Sequence, residues 1–300
     1  MVSFGHLSLA AVALSSFATS SPVGLEKRGT FSVQQQENAD FSGRNGTLAL
    51  VKAYGKYGAT LPYGYGGGEV AAIPTRFDAQ YISPVSIGDQ TLNLDFDTGS
   101  GDFWVFSTLQ EPGTADKHHV YDNAKSPSFK ALDGFSWSIH YGDGSAASGI
   151  VGTETVKIGG VTVTQQAVGL ATSVSPSFTL DTNSDGLMGL SFSTLNTIKP
   201  VKQKTFFDNA IPKLSSPVFT ADLKHDAPGT YDFGFIDRAK FKGSIAYVPV
   251  NSTRGFWGFT ALGHGVGNSF DPMPVTGVVG KANPTPRGRS PSVAFSKNRA

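Results

Sequence analysis

Leu92-Asn93-Leu94-Asp95-Phe96-Asp97-Thr98-Gly99-Ser100 is the stretch on which the reading of this chain turns. Leu92, Leu94 and Phe96 alternate with Asn93, Asp95 and Asp97. That period of two predicts a strand with one apolar face, and it sets Asp97 on the opposite face at the strand's end. The same device returns on the C-terminal side. Phe103-Trp104-Val105-Phe106 reads as an aromatic strand. Trp137 to Tyr141 and Ala147 to Val151 flank Gly142-Asp143-Gly144-Ser145, and Asp-Gly between two alternating runs predicts a hairpin. Val156 to Val163 repeats the pattern around Gly159-Gly160. From Tyr81 to about Val250 the chain keeps this strand-like character.

Composition agrees with an all-β class. The 300 residues are 39% hydrophobic and 16% charged, with 36 Gly, and they show little helical patterning of Glu, Lys and Leu. Short strands joined by tight turns follow from such a mixture. Formal net charge is +1, which gives neither nucleic acid nor an anionic membrane surface anything to hold. The absence of Cys excludes disulfides, zinc-thiolate sites and a cysteine nucleophile. No cofactor and no metal are expected. His118-His119 lacks carboxylate or Cys support at ligand spacing. Asp181-Thr182-Asn183-Ser184-Asp185-Gly186 begins like a calcium loop but puts Phe192 where a bidentate Glu is needed. Gly189-Leu190-Ser191-Phe192-Ser193 approaches a nucleophile elbow without its closing Gly.

The two ends differ from the middle. Phe4 to Phe17 is apolar, shorter than the roughly 20 residues of a membrane span, and leads into small residues at Ala18 and Ser20. Residues 1–20 therefore read as a signal peptide, and the protein as secreted. Residues 21–69 read as a removable prosegment, with a dibasic Lys27-Arg28, a short helix over 49–57 and a flexible Gly66-Gly67-Gly68 junction. Asn45-Gly46-Thr47 and Asn251-Ser252-Thr253 are glycosylation acceptors in a secreted chain. Beyond about Leu262 alternation stops. Pro272, Pro274, Pro284, Pro286 and Pro291 punctuate a stretch whose charges are mainly Lys and Arg, so residues 263–300 are expected to stay disordered.

Asp-Thr-Gly alone is a weak motif, since most Asp-x-Gly triplets are ordinary turns. Its setting is not weak. Asp95 to Ser100 followed by Trp104-Val105-Phe106, the hairpin Trp137 to Ser145, Asp185-Gly186-Leu187-Met188-Gly189-Leu190, and Tyr231-Asp232-Phe233-Gly234-Phe235-Ile236-Asp237 together resemble the pepsin-like aspartic endopeptidases. The likeness runs from roughly Tyr81 to Phe259, and is greatest to the secreted fungal penicillopepsin and aspergillopepsin group. It implies an N-terminal lobe over 70–236, with a ψ-shaped active-site loop and a flap hairpin. It also implies an acid-active enzyme that cuts peptide bonds between bulky apolar residues, with a polypeptide as partner and the chain itself monomeric.

Carried over by that resemblance, Asp97 is one of two catalytic aspartates, Gly99 belongs to its loop, and Ser100 hydrogen-bonds its outer oxygen. Tyr141, Gly142 and Asp143 belong to the flap, and Trp104 supports Tyr141. Phe178 and Leu187 wall the primary specificity pocket. For Trp104, Phe178 and Leu187, plain core packing is the competing reading. Lys56 and Tyr57 resemble the zymogen motif that holds an ammonium against the catalytic carboxylate, with a solvated surface charge as the alternative for Lys56.

The family pattern continues through a second lobe bearing a second Asp-Thr-Gly or Asp-Ser-Gly, and neither occurs in these 300 residues. Residues 237–262 read as the first strands of that lobe. The unrelated tail after Leu262-Gly263-His264 is what a shifted reading frame or a misplaced intron boundary produces. With one carboxylate the chain is expected to be inactive as written, because carboxylate-only hydrolysis needs two groups sharing a proton. Two alternatives stand beside this: a non-catalytic β-sheet remnant that binds peptide, and a homodimeric protease with one triad from each chain.

Overall fold

The computed structural model describes residues 68–75, 80–266, 268–280 and 293–297. Fifteen strands and a few short helices follow in order: β1 Gly68–Pro74, β2 Tyr81–Ile87, β3 Gln90–Asp97, β4 Phe103–Val105, β5 Lys130–His140, β6 Ala146–Ile158, β7 Val161–Val174, α1 Pro176–Leu180, β8 Gly186–Gly189, α2 Phe206–Ala210, β9 Val218–Lys224, β10 Ala227–Phe233, β11 Gly258–Ala261, β12 His264–Val266, β13 Ser269–Asp271, β14 Val275–Val278 and β15 Val293–Ser296. The described protein is all-β, as the period-two patterning requires.

Eleven strands form one sheet in the order β15-β9-β10-β1-β2-β3-β8-β4-β7-β6-β5, and a further pairing of β2 with β6 closes the six strands from β2 to β6 into a ring. Inside lies an apolar cluster built on Leu92, Leu94, Phe96, Val156, Val163, Leu170, Met188 and Tyr231. Leu92, Leu94 and Phe96 are the alternating residues of β3. A second cluster, of Trp104, Phe106, Trp137, Ile139, Ala147 and Leu187, fills the space under the β5–β6 hairpin. That hairpin follows the sequence closely, with His140 opposite Ala146 and Trp137 opposite Gly149. The Gly159-Gly160 turn joins Ile158 to Val161. Gly159 has φ +53°, and a Cβ on it would lie 2.4 Å from the Glu69 carbonyl. Glycine is needed there because the turn bends left-handed and is pressed against the backbone of β1.

Three expectations about the ends meet the structure differently. The prosegment boundary at 69 falls inside β1, since Gly68 and Glu69 pair with Phe233 and Asp232 of β10. The Glu69 carboxylate and the Asp232 carboxylate each accept from Lys240 Nζ at 2.6 Å. Burial and the two acids act together on Lys240, whose pKa the acids raise against the opposing desolvation. Residues 237–262, expected to hold several strands, hold only β11; Tyr247 is 83% exposed because no neighbouring strand gives this stretch a face to pack on.

The third difference concerns the tail. Residues 263–300 were expected to carry no ordered element, yet β12 pairs with β13, β14 with β11, and β15 with β9. The inward positions are Val293 and Phe295 of β15 and Lys297 just after it, too short a period-two run to register in the sequence. Phe295 stacks on Phe219 with ring centroids 4.5 Å apart and meets Trp257 edge-on at 5.0 Å. Lys297 Nζ donates to Asp208 Oδ1 at 2.8 Å and to the Ser191 carbonyl at 3.0 Å. Burial lowers the Lys297 pKa, with the Asp208 charge opposing. The non-local partner supplies what local composition lacks.

This packing carries a test. Removing a buried aromatic ring costs about 3 to 5 kcal/mol in general, so Phe295→Ala should lower the urea midpoint of the chain by an amount of that order. An unchanged midpoint would show that the tail contributes nothing to the core.

Candidate active site

Asp97 ends β3, and what fixes it is the strand beside it. β8 runs parallel to β3, with Asp97 opposite Gly189, and antiparallel to β4, with Phe103 opposite Met188. The strand thus lies between β3 and β4, and residues 98–102 must cross it, which is the ψ-shaped loop. Backbone bonds pin the crossing: Leu190 N donates to Asp97 O at 2.7 Å, Gly189 N to Asp102 O at 2.7 Å and Ser191 N to Ser100 O at 3.0 Å. A Cβ on Gly189 would stand 2.6 Å from the Ser100 carbonyl, so no larger residue fits between the two segments. Behind the loop, Trp257 Nε1 donates to Leu190 O at 3.0 Å and Thr98 Oγ1 to Val279 O at 3.0 Å.

The Asp97 carboxyl is 4% exposed, and its Oδ1 accepts from Gly99 N at 2.8 Å. No donor among the described residues reaches Oδ2. The hairpin tip over residues 141–145 closes with Tyr141 N donating to Ser145 O at 2.8 Å. Trp104 Nε1 donates to the Tyr141 hydroxyl at 2.9 Å. Phe178 stands edge-on to Trp104 at 5.0 Å and to Tyr141 at 5.6 Å, and Leu187 is buried in the same cluster. Burial pushes the Tyr141 phenol well above its ordinary range, and the Asp97 and Asp102 charges add to it. The Tyr141 phenol therefore stays neutral. Asp143 Oδ1 accepts from the Ser145 hydroxyl at 2.7 Å and from Ser145 N at 2.9 Å, and these bonds lower its pKa. A Cβ on Gly142 would meet nothing within 4 Å; the space at the tip is open.

The structure thus brings Asp97, Gly99, Trp104, Tyr141, Phe178 and Leu187 together, with Gly142 and Asp143 at the tip. Ser100 departs from its expected part. Its hydroxyl is buried and makes no hydrogen bond, to Asp97 or elsewhere. It lies near the Tyr141 hydroxyl and eases that group's ionisation a little. Lys56 and Tyr57 lie outside the described residues. Among the described residues no group of three or more His, Asp or Glu is gathered for a metal. Asp185 is occupied in another way, accepting from Asn93 N at 2.9 Å and His119 N at 2.8 Å. Trp104, Phe178 and Leu187 pack in one apolar cluster, as the packing reading has it, and Trp104 and Phe178 also touch Tyr141.

Sequence reasoning missed Asp102. It is 2% exposed and accepts from Thr197 N and Thr197 Oγ1, both at 3.0 Å. Burial pushes its carboxyl up to about 6, against the Thr197 donors and the Lys202 charge. Its only signal in the sequence was a charge inside an apolar run, two residues before Trp104.

Comparison with known proteins adds the following. Residues 80–272 match the family model described as eukaryotic aspartyl protease. The chain is 47% identical to penicillopepsin-3 of Penicillium janthinellum, over 89% of this chain and 69% of that one. It is 48% identical to aspergillopepsin-1 of Aspergillus oryzae, over 83% and 64%, and 49% identical to endothiapepsin of Cryphonectria parasitica, over 80% and 61%. The chain spans about two thirds of the length of these relatives.

Asp102 gives the site a pH signature. Its raised pKa keeps it protonated in the folded chain where the unfolded chain, titrating near pH 4, has already ionised. The folded state then binds more protons, and stability falls as pH rises from about 4 to about 6. The loss amounts to about 2 to 3 kcal/mol. Urea midpoints measured across that range should slope downward in the wild type and be flatter in Asp102→Asn. Equal slopes in both proteins would remove Asp102 as the source.

Proposed function

The chain belongs to the eukaryotic aspartyl protease family, and on that premise we propose that the cleft at Asp97 is one half of an aspartic endopeptidase centre, binding a polypeptide beneath the hairpin at 141–145. The observation that carries this is a nearly buried carboxylate, held by Gly99 N, whose charge reaches the phenol of Tyr141, itself held by Trp104 Nε1. In this reading a peptide enters along the open tip. Gly142 and Asp143 offer backbone groups to it, and Phe178 and Leu187 receive a bulky apolar side chain.

The chemistry asks for two carboxyls. One, ionised, takes a proton from a water; the other, protonated, gives one to the scissile carbonyl. Asp97 can play either part and not both. The second carboxyl has to come from sequence beyond these 300 residues, as the greater length of the relatives allows. A homodimer sharing two copies of Asp97 is disfavoured by one contact, since the Thr98 hydroxyl is already bound to Val279 of its own chain. A peptide-binding role without cleavage is favoured for these 300 residues by themselves, because the flap, the apolar wall and the carboxylate are all in place.

The chain is accordingly a secreted protein in this reading, with residues 1–20 as its leader and the prosegment bearing Lys56 and Tyr57 as its inhibitor. An ammonium near Asp97 favours the carboxylate and competes for the water's position, and acid weakens the pair.

Two measurements test the proposal. The 300-residue chain, assayed at acidic pH on a quenched fluorescent peptide with bulky apolar residues, should bind it and show no turnover above an Asp97→Asn control. Asp97-dependent cleavage that grows with the square of chain concentration would replace this reading with the homodimer. In a longer form that supplies the second carboxyl, Lys56→Met should speed self-activation near neutral pH; an unchanged rate would leave Lys56 a surface charge.

A further inference from the structure

Behind the apolar wall of the cleft sits a histidine that the hydrolytic chemistry does not use. His118 Nδ1 is 2.9 Å from the Ser184 carbonyl, and its Nε2 is 3.4 Å from the Thr179 carbonyl. The ring lies flat on Phe106, with centroids 3.9 Å apart and planes 11° apart. A neutral imidazole has one N–H and one lone pair. It can therefore donate to only one of these carbonyls, and it turns its lone pair toward the other. The imidazolium donates to both, and the face of Phe106 favours the cation as well.

The two carbonyls lie on the stretch that joins the two wall residues, Phe178 and Leu187. Thr179 lies in α1 next to Phe178, the ring set edge-on against Trp104 and Tyr141, and Ser184 immediately precedes Asp185 and β8. Other charged groups on the packed elements have their own partners. Asp185 Oδ1 and Oδ2 take His119 N and Asn93 N, with the exposed His119 ring 3.3 Å from Oδ2. Asp181 Oδ2 takes Gln80 Nε2, and its Oδ1 takes Asn183. Asp116 and Lys117 stand exposed on the segment of His118 itself. Among the described residues none of these makes an ion pair or hydrogen bond with the His118 ring.

We propose that His118 is a positioning residue: as an imidazolium it ties Thr179 and Ser184 together and holds Phe178 against Tyr141 and Trp104. The apolar wall is then firm when the ring carries both protons and looser when it carries one. This rests on the reading of the cleft as a peptide site, and it makes recognition of a bulky apolar side chain acid-dependent independently of the catalytic carboxylates.

The test uses the full chain and needs no cleavage. Hydrogen exchange at the amides of Phe178, Thr179 and Asp181, corrected for intrinsic pH dependence, should report at least about tenfold more opening near pH 8 than near pH 5. His118→Gln should abolish the difference, and His119→Gln should keep it. Equal opening at both pH values in the wild type, or the same response in His118→Gln, overturns the proposal. Should His118→Gln not fold, ring-nitrogen NMR of the wild type near pH 5 decides: hydrogen-bond couplings from both ring N–H groups to the Thr179 and Ser184 carbonyls support the clamp, and the absence of either overturns it. Binding of an apolar peptide near pH 5, measured separately, keeps the two readings apart. PH-dependent opening without binding removes the cleft reading alone, and binding without pH-dependent opening removes the clamp alone.

Discussion

At Gly189 two stretches of backbone come so close that a single methyl group would collide with the Ser100 carbonyl, and the architecture around Asp97 follows from that approach. Because β8 passes between β3 and β4, three backbone hydrogen bonds lock the loop from both sides. A carboxylate held this way needs few side-chain partners. Gly99 N fixes Oδ1, and the rest of the placement is backbone. Orientation is thereby settled before any ligand arrives, which is the condition under which a charged group acts on a substrate without first reorganising.

The same strand also sets the flap. β8 carries Leu187 opposite Trp104 of β4, so the register that places Asp97 places the indole as well, and the indole N–H in turn holds Tyr141. Carboxylate and flap share one frame, and a shift in β8 would move both. The second apolar cluster is small because it serves this purpose: its rings pack on one side and present a polar edge on the other. His118 extends the arrangement by anchoring the segment that carries Phe178, giving the aromatic group a support independent of the sheet.

Much of this was legible in the sequence wherever the signal was local. Alternation in β3, Asp-Gly at the flap and Gly-Gly between β6 and β7 each lie within a few residues of the structure they specify. Buried polar groups are a different matter. Glu154 is a buried carboxylate satisfied by Tyr121 Oη at 2.6 Å, Ser126 Oγ at 2.5 Å, Ser128 Oγ and Thr155 N. Burial raises its pKa, but those bonds together outweigh it and leave the pKa lowered. Nothing near residue 154 announces the arrangement, because three of its donors lie about thirty residues upstream. Asp102 was hidden for the same reason, its donors coming from residues 196 and 197. Ser100 shows the converse error: a role transferred by resemblance assigned a bond that the local geometry does not make.

The tail is where local composition says least about the strands its described residues form, and the reason is a non-local one. Composition says that a Pro- and Arg-rich segment cannot order itself, and in isolation it does not have to. Phe295 and Lys297 find a groove lined by Phe192, Phe207, Phe219 and Trp257, and Val279 meets Thr98. Trp257 belongs to both arrangements, since its ring packs on Phe295 while its N–H holds the Leu190 carbonyl behind Asp97. The segment beyond residue 257 therefore braces the back of the Asp-Thr-Gly loop. Its other apolar groups, Leu262 at 83% and Phe270 at 67% exposed, stay largely open.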